Sequence, residues 1–531
     1  MTASRSPVRS RAVSLDSVAM QMSVADNVAV AKLAIPKGTV IRDHGREIEI
    51  IDTIPQGHRF SLRDIVKGEP VLQYGYPFGT APGIKKGRLI HAQNVAVYRN
   101  ENYRKMLNAA APQRRAGALR NTNAKPVKDR TFPGYIRSDG KVGTRNYYLI
   151  VPTSLCASDI AVKTADALRR DTSLKKRYRH IDGIVAAAHT EGCGCNDGEI
   201  IDRLLLTLKN TMLHPNVGGV LVVDLGCEKT NHKVVSKYFG DLSRYGKPVD
   251  FVSIQTVGGT GKALAAAEKI VRSRLSKVNS VKRQAVSIKH LVLGTECGAS
   301  DSFSGITANP LIGATVDKVI GSGGAAILSE TPEMIGAEAI LLGRMSSRKV
   351  AQKFIHGMEY YKSLAKKLGV SMEGNFVAGN VEGGLVNLSL KSLGAVLKGG
   401  SSAIVDFIDY AERIKHPGLT IMNGPGNDLE SMTGIVASGA TIILFSTGMG
   451  TTEGNAIVPV IKISTRTETF RKMPEDMDFD AGSLLDDNIT FESLSDTLLE
   501  KVLSVAAGEQ TWAEKWDKRS FQIWTAGKLS L

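Results

Sequence analysis

The chain carries two hydrophobic rhythms. Over residues 19–97, short apolar alternations are cut by turn signals: PKG at 36–38, DHG at 43–45, PQG at 55–57, KGE at 67–69 and KKG at 85–87. Turns about ten to fifteen residues apart leave room only for short strands and predict a small β-rich unit of barrel-like or clip-like form. From Asp159 onward the rhythm changes. HIDGIVAAAH, GGVLVVDLGCE, IKHLVLGTEC and GGAAILSETPE read as strands, as do the apolar runs in HPGLTIMNGPGND and GATIILFSTGMG. Between them, SDIAVKTADALRR, DGEIIDRLLLTLKNTM, TGKALAAAEKIVRSRLSKV and SRKVAQKFIHGMEYYKSLAKKLGV carry helical periodicity. Strands alternating with helices predict α/β domains with mainly parallel sheets.

A length of 531 residues exceeds one hydrophobic core. The expected organisation is a disordered basic tail over 1–18, the β-rich domain over 19–97 and a basic linker over 98–130. An α/β catalytic core over 131–400 follows, then a C-terminal α/β domain over 401–531 that completes the active site. A hydrophobic fraction of 42% and 53 glycines fit a globular, loop-rich chain. The absence of any apolar run of membrane-spanning length excludes a transmembrane helix. Five cysteines in so long a chain are no disulfide scaffold and point to a reducing, cytoplasmic setting.

The net charge of +16 raises the question of nucleic acid. Much of it sits in MTASRSPVRSRAVSL and in segment 99–130, which read as solvated tail and linker. The first is also Arg- and Ser-rich and free of acid, the composition of a transit peptide as well as of a plain extension. Aromatics make up only 6% and form no stacking motif, which argues against nucleic acid. The remaining charge suits a small anionic substrate such as a sugar acid.

Candidate chemistry gathers at predicted strand ends, where open parallel sheets bind ligands. Cys193, Cys227 and Cys297 each end an apolar run beside glycine. With His189 or Glu228 they could hold iron or zinc; three thiolates could also hold a 4Fe–4S cluster with one open iron. The bland alternative is three small buried hydrophobes. Glu296, Ser300, Asp301 and Asn309 either cap a helix or serve as acid, base and hydroxyl ligands. In GYIRSDGKVGTRN, Arg137 and Arg145 offer bidentate donors for a carboxylate, while Asp139-Gly140 is an ordinary hairpin signal. The loops MNGPGND and FSTGMGTTEGN, with Asn423 and Thr447, present backbone N–H groups suited to an anion. His58 reads as a lone satisfied histidine. VGGTGKALA has Thr256 where a phosphate loop needs glycine and Ala263 where it needs Ser or Thr. No dinucleotide fingerprint follows a strand either.

Read in order, ADNVAVA, IPQGHRFSL, DIVKGEPVLQYGYPFG, GYIRSDGKVGTRN, HTEGCG, LGCEK, ECGASDSFSGITANP, LSETPE, KSLGAVLKGG and VASGATIILFSTGMG make the chain resemble the altronate/galactarate dehydratase family over nearly all of 20–531. The resemblance implies an N-terminal SAF-type domain, a hydro-lyase acting on hexonic or hexaric acids, and dependence on iron(II) replaceable by manganese(II). From the residues at the strand ends, that metal is expected at His189, Cys193, Cys227 and Cys297, with His189, Glu228 and Asp301 as candidate catalytic bases. Arg137, Arg145, Ser300, Asn309, Asn423 and Thr447 are then substrate contacts, and a homodimer is implied by analogy. MSVADNV lacks the family's usual preceding histidine. ECGASD carries Ala299, MNGPG carries Asn423, and EGNFVAGNVEGG departs from the family's usual wording. These differences point to a different acid or a related β-elimination. The rivals are a sulfo-lyase acting on a sulfonated hydroxy acid and a non-catalytic sugar-acid-binding protein.

Overall fold

The computed structural model describes residues 12–43, 45–97, 127, 129–241, 245–485 and 489–525. The first unit is β-rich, as its turn spacing predicts. A four-stranded antiparallel sheet runs Ala19–Met20, Val28–Ala31, Arg59–Ser61, Leu89–Ile90, with two three-stranded sheets beside it. The turn glycines make this packing possible: Gly87 has φ +79°, and a Cβ there would lie 1.9 Å from the Glu49 carbonyl oxygen. The expected tail over 1–18 is too long. Val13–Ser14 pairs with Ile41–Arg42, and Leu15 and Val18 are buried in the unit's core because they are the apolar positions of an otherwise polar stretch. Residues 98–126 of the expected linker lie outside the described residues.

Two parallel sheets form the rest. In the smaller, β1 (Tyr147–Pro152) is flanked by β2 (Gly183–Ala186) and β3 (Val217–Asp224), and β4 (Val249–Ser253) lies beyond β3. The larger sheet uses β5 (Val292–Gly298), β6 (Ala325–Leu328), β7 (Ile404–Ile408), β8 (Gly418–Met422), β9 (Ile442–Thr447), β10 (Val460–Ser464) and β11 (Phe479–Asp480). Its order is β7-β8-β6-β5-β9-β10-β11, every pair parallel. The expected domain boundary at residue 400 therefore runs through one sheet. β5 and β6 precede it and β7 to β11 follow it, because parallel partners are joined by long crossovers rather than by adjacent hairpins.

Strand alternation sets the layers. Tyr148, Ile150, Leu221 and Val223 pack on the helices Leu155–Arg170 and Thr260–Asn279. Tyr147, Leu149, Val151, Val220 and Val222 face the other way, onto the helix Glu199–Met212. The same cluster takes in Met432, Ile435 and Val436 of the helix Asp428–Ser438 and Ile443 and Phe445 of β9, so it welds the two sheets together. Burying each such side chain is worth about 1.5–3 kcal/mol. The β-rich unit docks through fully buried Arg59. Its guanidinium donates to the Ser302 hydroxyl at 2.7 Å, the Gly384 carbonyl at 2.6 Å and Gln73 at 2.7 Å, bracing the loop after β5.

Candidate active site

The carboxyl end of β5 explains why ECGASDS breaks off as it does. Glu296 and Cys297 are the last side chains of the strand, both buried. A Cβ on Gly298 would lie 2.3 Å from Asp428 Oδ2, so only glycine lets that carboxyl approach. Ala299 then turns the chain at φ +50°, and its carbonyl accepts from the amides of Gly448 at 3.2 Å and Met449 at 3.3 Å. Two residues past the end of the neighbouring strand β6, Glu330 is also left-handed at φ +69° and opens the short turn Thr331–Met334. Two non-glycine residues held in this costly region beside each other's strand ends is the signature of a site that the surrounding fold over-determines.

Around Cys297 the side chains form one ionic cluster. Glu333 Oε2 lies 3.1 Å from Cys297 Sγ and Glu330 Oε1 lies 3.8 Å from it. Lys398 Nζ is 2.7 Å from the same sulfur and is ion-paired to Glu330. Lys391 pairs with Glu333 at 2.8 Å and donates to the Asn375 carbonyl at 2.8 Å. Ser431 donates to Glu296 Oε2 at 2.7 Å, but Glu296 Oε1 is buried with no hydrogen-bond partner. Cys297, Glu333, Lys391 and Asp428 of the cluster line a cavity of about 560 Å³, together with Ser300 and Asn375.

The electrostatics follow from burial without enough cations. Burial and the neighbouring Glu330 push Glu296 well above the carboxylate range; burial lifts Glu330 too, although Lys398 opposes it. Asp428 is pushed up to about 7 by burial and by Glu333. Glu333 goes the other way. Lys391 and Lys398 outweigh its burial and hold it ionised. Burial, Glu330 and Glu333 keep the Cys297 thiol protonated despite the Lys398 contact. Burial would lower Lys398, but the surrounding thiol and carboxyls drive it above its usual value.

Two donor sets lie within 4.8 Å: Cys297, Glu330 and Glu333, and Glu296, Glu330 and Asp428. The first already surrounds the Lys398 ammonium, which competes with any ion there. The second fits a divalent cation better. It offers only hard oxygen donors, and one of them is the unpartnered Glu296 Oε1.

The expected metal set is divided between two places. Cys297 belongs to this cluster. Cys193 and Cys227 sit at the smaller sheet, near Cys156. His189 is no ligand as it stands: Nδ1 accepts the Glu191 amide at 3.1 Å and Nε2 donates to the Pro152 carbonyl at 2.8 Å, so both ring nitrogens are taken. Glu228 accepts from Thr153 at 2.8 Å, Ser154 at 3.1 Å, Leu225 N at 2.9 Å and Gly226 N at 2.7 Å, tying two loops together. The expected carboxylate clamp is not assembled. Arg145 is buried on Glu514 at 2.7 and 2.8 Å and donates to the Val505 and Glu509 carbonyls. Arg137 donates to the Pro215 carbonyl at 2.6 Å and to Asn146 at 3.0 Å.

Of the other expected contacts, Ser300 lines the cavity. Asp301 is buried and anchors its turn on Ser304 and Thr465, with Arg466 at 3.2 Å. Asn309 is spent on Ser446 and the Gly394 carbonyl, Asn423 accepts from Thr331, and Thr447 accepts from the Gly450 amide. Sequence reasoning missed Glu330, Glu333, Lys391, Lys398 and Asp428. The signal lay in LSETPE and in KSLGAVLKGG, where a lysine inside an apolar run must be buried with a partner.

His189 yields a stability prediction. Burial lowers its pKa from 6.5 to about 4, so the folded state resists a proton that the unfolded chain accepts. Stability is complete above pH 6.5 and is lost as pH falls through about 4, on the order of 3 kcal/mol from this group. Urea midpoints at pH 7 and pH 4.5 for the native protein and His189→Gln should differ less at the lower pH; an unchanged gap would show that His189 carries no such penalty.

The structure thus sets a buried cluster of carboxyls, lysines and a thiol at the carboxyl ends of a parallel sheet. Three family models match in order. They are the altronate/galactarate dehydratase SAF domain over 17–98, the D-galactarate dehydratase/altronate hydrolase second domain over 134–279, and the D-galactarate/altronate dehydratase C-terminal domain over 288–529. Altronate dehydratase of Bacillus subtilis is 34% identical over 505 residues, covering 94% of this chain and 97% of the relative. Altronate dehydratase of Escherichia coli is 33% identical, covering 94% and 98%, and its galactarate dehydratase (L-threo-forming) is 31% identical, covering 92% and 93%. The chain belongs to the altronate/galactarate dehydratase family of sugar-acid hydro-lyases. The family's second-domain boundary falls in the gap between the two sheets, not at residue 400.

Proposed function

We propose that this chain removes water from a polyhydroxy acid of the altronate or galactarate kind, leaving a 2-keto-3-deoxy acid, with iron(II), or manganese(II) in its place, at Glu296, Glu330 and Asp428. One observation carries the reading: the charge of the buried cluster. Four carboxyl groups, Glu296, Glu330, Glu333 and Asp428, face two ammonium groups, Lys391 and Lys398. Full ionisation leaves two negative charges uncompensated in a buried space, which one divalent cation or two protons balance.

Dehydration removes a weakly acidic proton beside a carboxylate and expels hydroxide from the next carbon. Glu333, ionised and lining the cavity, takes that proton. Lys391 faces the same space and attracts the substrate carboxylate, the task expected of Arg137 and Arg145. Lys398, behind Cys297, offsets negative charge as it develops on the enolate. A divalent ion held by Glu296, Glu330 and Asp428 would supply Lewis acidity toward the departing hydroxyl.

The test uses protein purified without oxygen, stripped with chelator and resupplied with iron(II) or manganese(II). It is offered altronate, galactarate, glucarate and shorter sugar acids. A 2-keto-3-deoxy product from one acid, lost with chelator and restored by metal, is the expected result. Glu296→Gln should weaken manganese(II) binding about 10-fold or more, and Glu333→Gln should lower kcat by about 10²–10⁴. Sulfite release from a sulfonated hydroxy acid, or no product from any acid by folded, metal-loaded protein, overturns the reading.

A further inference from the structure

At the smaller sheet, a solvent-exposed thiol follows the carboxyl end of each of β1, β2 and β3: Cys156 in the first turn of the helix Leu155–Arg170, and Cys193 and Cys227 in loops. Cys156 lies beside Cys193, with Cys227 and Glu228 near it. The three segments are fastened to one another. Glu228 joins the Cys227 turn to the Thr153 and Ser154 hydroxyls that precede Cys156. The Leu155 amide donates to the Glu191 carbonyl at 2.8 Å, and Thr230 donates to the Thr153 carbonyl at 2.7 Å. Gly192 has φ +94°, and a Cβ there would lie 2.3 Å from the Thr153 carbonyl oxygen, so the Cys193 loop closes on the Cys156 segment only with glycine. Nothing in the dehydration chemistry at the larger sheet uses these thiols.

We propose that Cys156, Cys193 and Cys227 are the three protein ligands of a 4Fe–4S cluster whose fourth iron has no protein ligand. Three thiols from three rigidly cross-linked segments at one sheet end supply the ligand number of such a cluster. A single tetrahedral ion fits less well. With each sulfur about 2.3 Å from the metal, it would hold the three sulfurs about 3.8 Å apart. Among the described residues, the sets whose donor atoms all lie within 4.8 Å of one another are at the larger sheet, and the thiol trio is not one of them. Left-handed glycines at 192, 194 and 226 turn the backbone around Cys193 and Cys227. The remaining cysteines cannot substitute: Cys195 is buried, and Cys297 belongs to the other sheet.

This inference stands independently of the divalent-cation reading. The full-length protein, purified anaerobically, is incubated with iron(III), which excess thiol partly reduces to iron(II), and with sulfide, then desalted and assayed for iron and acid-labile sulfide. The visible absorption and the paramagnetic spectrum after reduction are recorded alongside. About four irons and four sulfides per chain are expected, falling about 10-fold in Cys156→Ser, Cys193→Ser and Cys227→Ser. Cys195→Ala should keep the full content, and circular dichroism checks that each variant is folded. Iron uptake without acid-labile sulfide, or a cluster that survives loss of all three thiols, overturns the proposal. Neither outcome bears on sugar-acid turnover.

Discussion

Lys398→Met is expected to abolish sugar-acid turnover and to lower the stability of the chain by about 3–5 kcal/mol. Lys398 is among the largest fully buried side chains of the protein, and its ammonium is the inner counter-charge of Glu330 and the contact of Cys297. Methionine fills the same volume but leaves Glu330 facing Glu296 and Glu333 with one cation fewer. The cluster then takes up protons, and the site loses the positive charge set against the developing enolate. Urea midpoints read the stability loss, and turnover at saturating substrate reads the second effect. Adding Glu330→Gln should recover part of the stability, since the uncompensated carboxylate is gone, while turnover stays lost. If Lys398→Met is as stable as the native protein and turns over normally, the ionic cluster is not the site.

Why the fold was legible, and the site only in part, follows from the kind of signal each residue leaves. β1, β3, β5 and β9 are buried on both faces and read as continuous apolar runs; the helices Glu199–Met212 and Thr260–Asn279 show a one-sided periodicity. Such patterns survive in a single sequence because they are dictated by burial along one element. The order of strands in the larger sheet leaves no local trace, so a boundary placed at residue 400 cut it in two. The site depends on the same long-range pairing. Glu330 and Glu333 come from a turn after β6, Lys391 and Lys398 from a helix and turn well over fifty residues later, and Asp428 from the start of another helix. Cys297 and Glu296 were visible because they end an apolar strand. Cys156 also follows one, in YYLIVPTSLCAS, yet it lies in a helix's first turn, where a small residue attracts no notice.

Arg145 shows how a motif misleads when only its residue types are read. Arg145→Met should cost about 3–5 kcal/mol in stability while leaving KM and kcat of the folded fraction unchanged. The guanidinium is 1% exposed, bidentate on Glu514, and satisfied further by the Thr144, Val505 and Glu509 carbonyls. It ties the start of β1 to the C-terminal helices, and removing it strands a buried carboxylate at Glu514, which the Arg145 charge holds ionised below its usual value. A carboxylate clamp would behave in the opposite way. Its loss would raise KM for the sugar acid by orders of magnitude and barely shift the unfolding midpoint. Measuring both quantities on one preparation separates the two roles. Glu514→Gln in the Arg145→Met background should then be milder than additivity requires, since the two variants remove halves of a single buried pair. A raised KM with unchanged stability would return Arg145 to the substrate and require the cavity beside Lys391 to be reassigned.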